Sequence, residues 1–436
     1  MPARQITAAP HGQMLTNAGI WSPDSAWILF DTRSGPDGSR FDGRRIGRVE
    51  LATRRSETLY ESRHGACCGV VTASPLDDRV VFILGPERPT ADWSYGPARR
   101  QGIVVRADRP GMIEPLDARD LLSPFTPGAL RGGSHVHMFS PDGLLVSFTY
   151  EDAVLEAAAD DRSCERNLRG VAVTICGRPV VVPKTHPRNQ DGSGFTVLVT
   201  RLHDRPEPGS DQISKAFEEA WIGSSGYQGP NGSRRRYGLA FQGHVVTAAG
   251  RTISEVYVAD LPEDPAGLAI PGDGPLAGTP LQRPRPPAGV LQRRLTFTAD
   301  RPHPGIQGPR HWLRSSPDGR RIGCLMRDDR GVVQLCTVSP AGGETVQLTR
   351  DPWDVASSFT WSPDGERIAY VGDGSIMTVD VRTAASRRLT APDRGESGPR
   401  PEAVVFSPDG LRIAFMAGVP LPGTQTKTNQ IFVVDA

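Results

Sequence analysis

Two histidines one residue apart, in Gly132-Gly133-Ser134-His135-Val136-His137, form the stretch of this sequence best suited to chemistry. On a regular strand residues i and i+2 share a face, so His135 and His137 would present their imidazoles together, as one metal ion requires. Other polar residues recur at matching places. Five residues before the serine of a repeated turn phrase stand Asn17, Gly69, His135, His311, Ser357 and Glu402. If each begins the inner strand of a repeating unit, their side chains converge on one axis. His311 then approaches the histidine pair from another unit, and His64 could add a fourth ligand. Arg131, Arg310 and Arg400 stand beside the same strand starts, where a guanidinium can hold a carboxylate bidentately. Three residues before the serine the chain is otherwise apolar or small, with Gly19, Val71, Leu313, Phe359 and Val404, so packing between units remains an alternative for His137.

The positioning elements follow from the turn phrase itself. Ser362-Pro363-Asp364-Gly365 recurs at Ser140, Ser316 and Ser407, as Ser22-Pro23-Asp24-Ser25, and in a worn copy at Ser74-Pro75. Proline presets φ, aspartate bonds its own backbone and glycine accepts φ > 0, so each copy is a tight turn. The residues after it alternate, as in Arg412-Ile413-Ala414-Phe415-Met416, and read as a strand. Copies at 316, 362 and 407 are spaced by about one four-stranded propeller blade. A second phrase, Arg388-Leu389-Thr390, closes the outer strand and returns as Gln347-Leu348-Thr349, Arg294-Leu295-Thr296 and Gln5-Ile6-Thr7. Its appearance at the start of the chain, opposite the unfinished strand Gln430–Asp435, implies that the first residues complete the last blade and close the ring.

The expectation is an all-β fold, a single β-propeller over residues 1–436 with seven blades, six being the fallback. Blade four lacks the turn phrase and must be assembled from Phe195–Leu202, Tyr237–Ala248, Ser254–Asp260 and Gln292–Thr296, with insertions at 203–236 and 261–290. The first insertion reads as a helix, with Ser210-Asp211 as cap, Ile213, Phe217, Ala220 and Trp221 at helical spacing, and Gly223 as stop. Long loops near 33–42, 85–101, 151–168 and 417–428 fall between second and third strands and decorate one face, where binding residues usually sit.

A net charge of +1 gives no reason to expect nucleic acid. The stretch Met1-Pro2-Ala3-Arg4-Gln5-Ile6-Thr7 lacks the apolar run of a signal peptide, and no segment has the length of about 18 apolar residues that a membrane span needs. A cytoplasmic protein with no membrane partner is expected, its six cysteines reduced. The absence of Gly-x-Ser-x-Gly argues against a prolyl-peptidase-type hydrolase.

The turn phrase followed by Arg-Ile-Ala-Tyr or Arg-Ile-Ala-Phe resembles the repeat of TolB-like propellers. With Pro127–His137, Pro208-Gly209-Ser210-Asp211, Gln292–Thr298 and Pro309-Arg310-His311-Trp312, the chain resembles an uncharacterised bacterial family of propellers grouped with oligogalacturonate lyases. That resemblance implies a seven-bladed enzyme holding a divalent metal, typically manganese, on histidines and a glutamine, with another histidine as base. The Gln-x-x-His-x-His phrase is matched at His135 and His137, while Gly132 occupies the glutamine place. The implied activity is β-elimination on a uronate-containing or oxidised sugar. His135, His137 and His64 would hold the metal and His311 would act as base, those last two being exchangeable, with Arg310, Arg131 and Glu402 around the substrate. The alternative is a non-catalytic propeller binding a protein or a glycan through its decorated face.

Overall fold

The turn phrase folds the same way at Ser22, Ser140, Ser316, Ser362 and Ser407. In the copy at Ser140 the hydroxyl donates to Asp142 Oδ1 (2.6 Å) and accepts the Leu145 N–H (3.0 Å), while Asp142 Oδ1 accepts the Leu144 N–H (3.2 Å). Gly143 takes φ 66°, and Ser25 in the first copy takes φ 60° in its stead. The second phrase is equally local. Thr7, Thr296, Thr349 and Thr390 each accept a third-strand N–H, from Ile431, Val256, Leu335 and Ile376, at 2.9 to 3.0 Å. Each hydroxyl satisfies a backbone donor that the departing outer strand leaves behind.

The structure, a computed structural model, describes residues 2–35, 37–421, 423 and 426–436. Pro36 in the 33–42 loop, and Pro422, Thr424 and Gln425 in the 417–428 loop, lie outside the described residues, as does Met1. Seven antiparallel four-stranded sheets form the blades of a propeller. From axis to rim, blade 1 runs Gly12–Met14, Trp27–Arg33, Arg45–Glu50 and Ser56–Glu61. Blade 2 runs Cys68–Ala73, Arg79–Leu84, Gln101–Arg106 and Arg109–Pro115; blade 3 runs Gly132–Phe139, Leu145–Asp152, Gly170–Ile175 and Phe195–Leu198. Blade 4 runs Ile213–Trp221, Gly238–Val246, Thr252–Asp260 and Leu291–Arg294; blade 5 runs Arg314–Ser315, Ile322–Arg327, Val333–Val338 and Val346–Gln347. Blade 6 runs Thr360–Trp361, Arg367–Gly372, Ser375–Asp380 and Ser386–Arg388. Blade 7 runs Pro399–Phe406, Arg412–Pro420 and Lys427–Asp435, and is completed by Arg4–Gln5, which pairs Arg4 with Val433 and Gln5 with Phe432. Apolar clusters fill the gaps between successive blades, so the core is a ring of interfaces.

Blade 4 departs from expectation. Ile213–Trp221 is its inner strand, not a helix, and Phe195–Leu198 is the outer strand of blade 3, pairing Ala172 with Leu198. The cause is two register shifts in the inner strand, between Ile213 and Ala216 and between Phe217 and Ala220. An extra residue at each bulge stretches the spacing of paired positions from two to three, which imitates a helical period. Among the described residues no helix is long and apolar enough to cross a membrane.

Candidate functional site

Inner strands of three successive blades share an unusual residue. Val70, Val136 and Glu218 take φ of 58°, 58° and 56°, at equivalent heights in blades 2, 3 and 4. A β-branched residue in the left-handed region is strained, and such strain persists where the surroundings impose it. Both valines line a cavity of about 340 Å³ on the loop-bearing face, together with His135, Arg310, Glu402 and Arg33.

Within this cavity the charges are ordered in pairs. Arg310 Nε donates to Glu218 Oε1 (2.7 Å), its guanidinium lies 4.6 Å from the Trp312 ring, and its Nη2 stands 3.5 Å from His135 Nε2. Arg33 pairs with the buried Asp31 at 2.8 Å. Burial holds the Glu402 carboxyl above its usual range, although Arg400 and Arg33 pull it down. Burial, then the nearby guanidinium groups of Arg100 and Arg310, push His135 well below the usual imidazole value. His135 is therefore neutral near pH 7, and its buried Nδ1 has no partner among the described residues. A neutral imidazole facing guanidinium groups is a weak base, and a bound anion that offsets those charges would strengthen it.

Other expected site residues lie elsewhere. The bulge at Val136 breaks the alternation on which the paired imidazoles depended, with register lost between His135 and Met138. His137 is completely buried, 4.9 Å from the Phe148 ring, and burial drives its pKa down to about 3. It packs against blade 2, where a Cβ on Gly102 would come within 2.5 Å of His137 Nε2. His311 is used by the scaffold: Nδ1 bonds the Pro309 carbonyl (2.8 Å) and Nε2 accepts the Leu325 N–H (3.2 Å). Both ring nitrogens are occupied, so it has no free lone pair for a substrate proton. His64 is exposed in a turn, where its carbonyl accepts the Arg88 N–H (2.8 Å). Arg131 is wholly buried and paired with Asp152 at 2.5 Å. Arg400 Nε donates to Asn429 Oδ1 at 2.8 Å. Of the proposed site residues, His135, Arg310 and Glu402 share the cavity.

No group of three or more His, Cys, Asp or Glu side chains among the described residues could hold a metal ion. With His137 packed between blades and His64 exposed in a turn outside the cavity lining, the described residues do not fit the divalent ion that the resemblance implies.

Sequence reasoning missed two polar residues near the axis, Arg314 and Glu219. Arg314 donates from Nη2 to Asn17 Oδ1. Blades 5 and 1 are not neighbours, so this bond spans the axial channel. Beside Arg314 lies Glu219, fully buried with neither carboxylate oxygen partnered among the described residues. Burial pushes Glu219 up to about 8 despite the pull of Arg314. An unfolded glutamate ionises near 4.5, so between that pH and about 8 the folded state is penalised for holding the proton. Glu219→Gln is therefore expected to stabilise the protein by a margin that is absent below pH 4.5 and grows toward pH 8. Unfolding midpoints across that range check it, and a pH-independent difference would refute it. The sequence carried no signal for Glu219, because blade 4 lacks the turn phrase that aligns the inner strands of the other blades.

Comparison with known proteins places these features. Residues 67–190 match a family described as a protein of unknown function (DUF3748). The chain is 44% identical over 427 residues, 97% of each protein, to the uncharacterised protein YidR of Escherichia coli K12. Among solved structures, an oligogalacturonate lyase in complex with manganese gives a TM-score of 0.57 at 12% identity, covering 99% of this chain and 92% of that one. A second oligogalacturonate lyase, from Vibrio parahaemolyticus, gives 0.55 at 8% identity with the same coverage. At such identities the likeness establishes the propeller fold alone.

Proposed function

The chain belongs to the family of the Escherichia coli protein YidR, and we propose that it takes a carboxylate-bearing carbohydrate into the loop-side cavity and removes a proton from it on His135 without a metal ion. The observation that carries this reading is the meeting, in one cavity of about 340 Å³, of a neutral imidazole with the half-exposed guanidinium of Arg310. That volume suits a small ligand. Two of the structural neighbours are oligogalacturonate lyases, one of them complexed with manganese, which supports the acidic-sugar class. No group of three or more His, Cys, Asp or Glu among the described residues suits a metal ion, which supports a base that works without one.

A uronate carboxylate would pair with Arg310, with Arg33 as a second cation in the same cavity. Neutralising the carboxylate makes the adjacent C–H more acidic, and a bound anion beside His135 raises the basicity that burial has lowered. His135 accepts the α-proton, a C=C bond forms from the released electron pair, and the β C–O bond breaks. The departing oxygen takes a proton from water, and the hydroxide so formed takes the proton from His135, leaving an unsaturated uronate, a new hydroxyl end and a neutral imidazole.

Oligogalacturonates incubated with chelator-treated protein are expected to give rising ultraviolet absorbance from the conjugated product. His135→Ala should lower that rate by about 100-fold or more, and Arg310→Ala should raise KM by about tenfold. Dependence of the rate on added metal would overturn the mechanism. A second reading is favoured by Gly38 and Ser39, which bring the connection between the second and third strands of blade 1 to the cavity wall: a non-catalytic propeller that binds a glycan or a protein there. It predicts binding by calorimetry without absorbance change, and unaltered by His135→Ala.

A further inference from the structure

Away from the axis lies another cavity, of about 420 Å³, between the 85–100 loop of blade 2 and the 176–194 insertion that precedes the outer strand of blade 3. Its centre is Trp93. The guanidinium carbons of Arg99, Arg119 and Arg188 stand 5.5, 5.7 and 5.9 Å from that ring centroid. Each cation gains from the ring quadrupole, but three like charges around one ring repel each other in a partly buried space. Among the residues lining the cavity, Glu87 is the single carboxylate against those three guanidiniums.

Neighbouring carboxylates outside the lining offset part of this charge. Arg99 reaches Glu156 at 3.0 Å. Arg119, which is buried, donates to the carbonyls of Arg100 (2.7 Å) and Gly132 (3.3 Å), with Asp117 as its nearest acidic influence. Arg188 donates to the carbonyls of Glu87 (2.8 Å) and Arg88 (3.1 Å). Carbonyl dipoles satisfy N–H groups without cancelling a net charge. Two buried donors of the lining, Nε of Arg99 and Nε1 of Trp93, have no acceptor at all among the described residues.

Orphaned buried donors are rare and call for a partner. Here both orphans are donors and the lining carries surplus positive charge, so the fitting partner is an acceptor-only anion. The volume exceeds that of a tetrahedral oxyanion and leaves room for a small organic group. We propose that this cavity binds a phosphate or sulfate group, free or carried as a small monoester, on Trp93, Arg99, Arg119 and Arg188. The site is independent of the carboxylate-binding cavity at the axis and of any elimination chemistry there.

The test is a titration of ¹⁵N-labelled protein with inorganic phosphate and with sulfate at constant ionic strength, chloride being the control. The indole N–H resonances of the seven tryptophans report the site directly. One of them is expected to shift saturably with the oxyanions and not with chloride, and to be the resonance missing from Trp93→Phe. Arg188→Ala and Arg99→Gln, checked for unchanged unfolding cooperativity, should each weaken binding by about tenfold or more, the size of one lost charge-assisted hydrogen bond. Tighter binding of glycerol phosphate than of inorganic phosphate would assign the site to esters, and equal binding to the free anion. Absence of any indole shift, an equal shift with chloride, or unchanged affinity in the folded arginine variants would overturn the proposal.

Discussion

Arg131→Ala is expected to destabilise the fold by about 3–5 kcal/mol, because it strands a buried carboxylate. Side-chain exposures of Arg131 and Asp152 are 0% and 1%, and the guanidinium meets Asp152 Oδ2 through both Nε (2.9 Å) and Nη2 (2.5 Å). Arg131 also donates from Nη1 to the Thr279 carbonyl and covers the Phe125 ring at 4.7 Å. Asp152 in turn caps the short helix Ala153–Ala157 by accepting the Leu155 N–H (3.0 Å). One arginine thus ties the start of blade 3 to its own loop and to the long excursion of blade 4. Urea denaturation should show a lower midpoint with an unchanged slope. Normal stability with lost ligand binding would instead return Arg131 to the substrate-binding role that its sequence position suggested.

Gln430→Leu is expected to cost about 2–4 kcal/mol by loosening the closure of the ring. Gln430 is 1% exposed and sits on the strand that receives the N-terminal segment. Its Oε1 accepts the Thr7 hydroxyl (2.9 Å) and the Ala9 N–H (3.0 Å), and its Nε2 donates to the carbonyls of Ala9 (3.0 Å) and His11 (3.1 Å). Leucine fills the space but leaves these buried groups unpaired. An opened blade 7 would expose an unpaired strand edge, so the variant should also aggregate more readily. Hydrogen exchange in Lys427–Asp435 should accelerate toward the global rate. Exchange and stability matching the parent would show that the backbone pairing of Arg4–Gln5 closes the ring unaided.

The blades without clean repeats were read less well than those with them, for a definite reason. In blades 5 to 7 the turn serine, aspartate and glycine satisfy one another within about five residues, so their chemistry is visible without tertiary structure. Ring closure was legible too, since the threonine of Gln5-Ile6-Thr7 does the same work as Thr349 and Thr390. Blade 4 has no turn phrase, and its bulged inner strand imitated a helix. The histidines were harder still. Aligning them by distance from the turn assumed regular strands, whereas Val136 in the left-handed region separates His135 in the cavity from His137 in the packing.

By itself, then, the amino-acid order determined the repeating sheet, its turns and its closure, because these depend on groups that meet within a few residues or recur with a fixed period. Only the folded ring decided which polar side chains reach a cavity and which are consumed by the scaffold. Arg310 owes its position to Glu218, 92 residues earlier, and Arg314 crosses the channel to Asn17, 297 residues earlier. A side chain's freedom to do chemistry is a property of its partners, and those partners are brought together by the curvature of the whole ring.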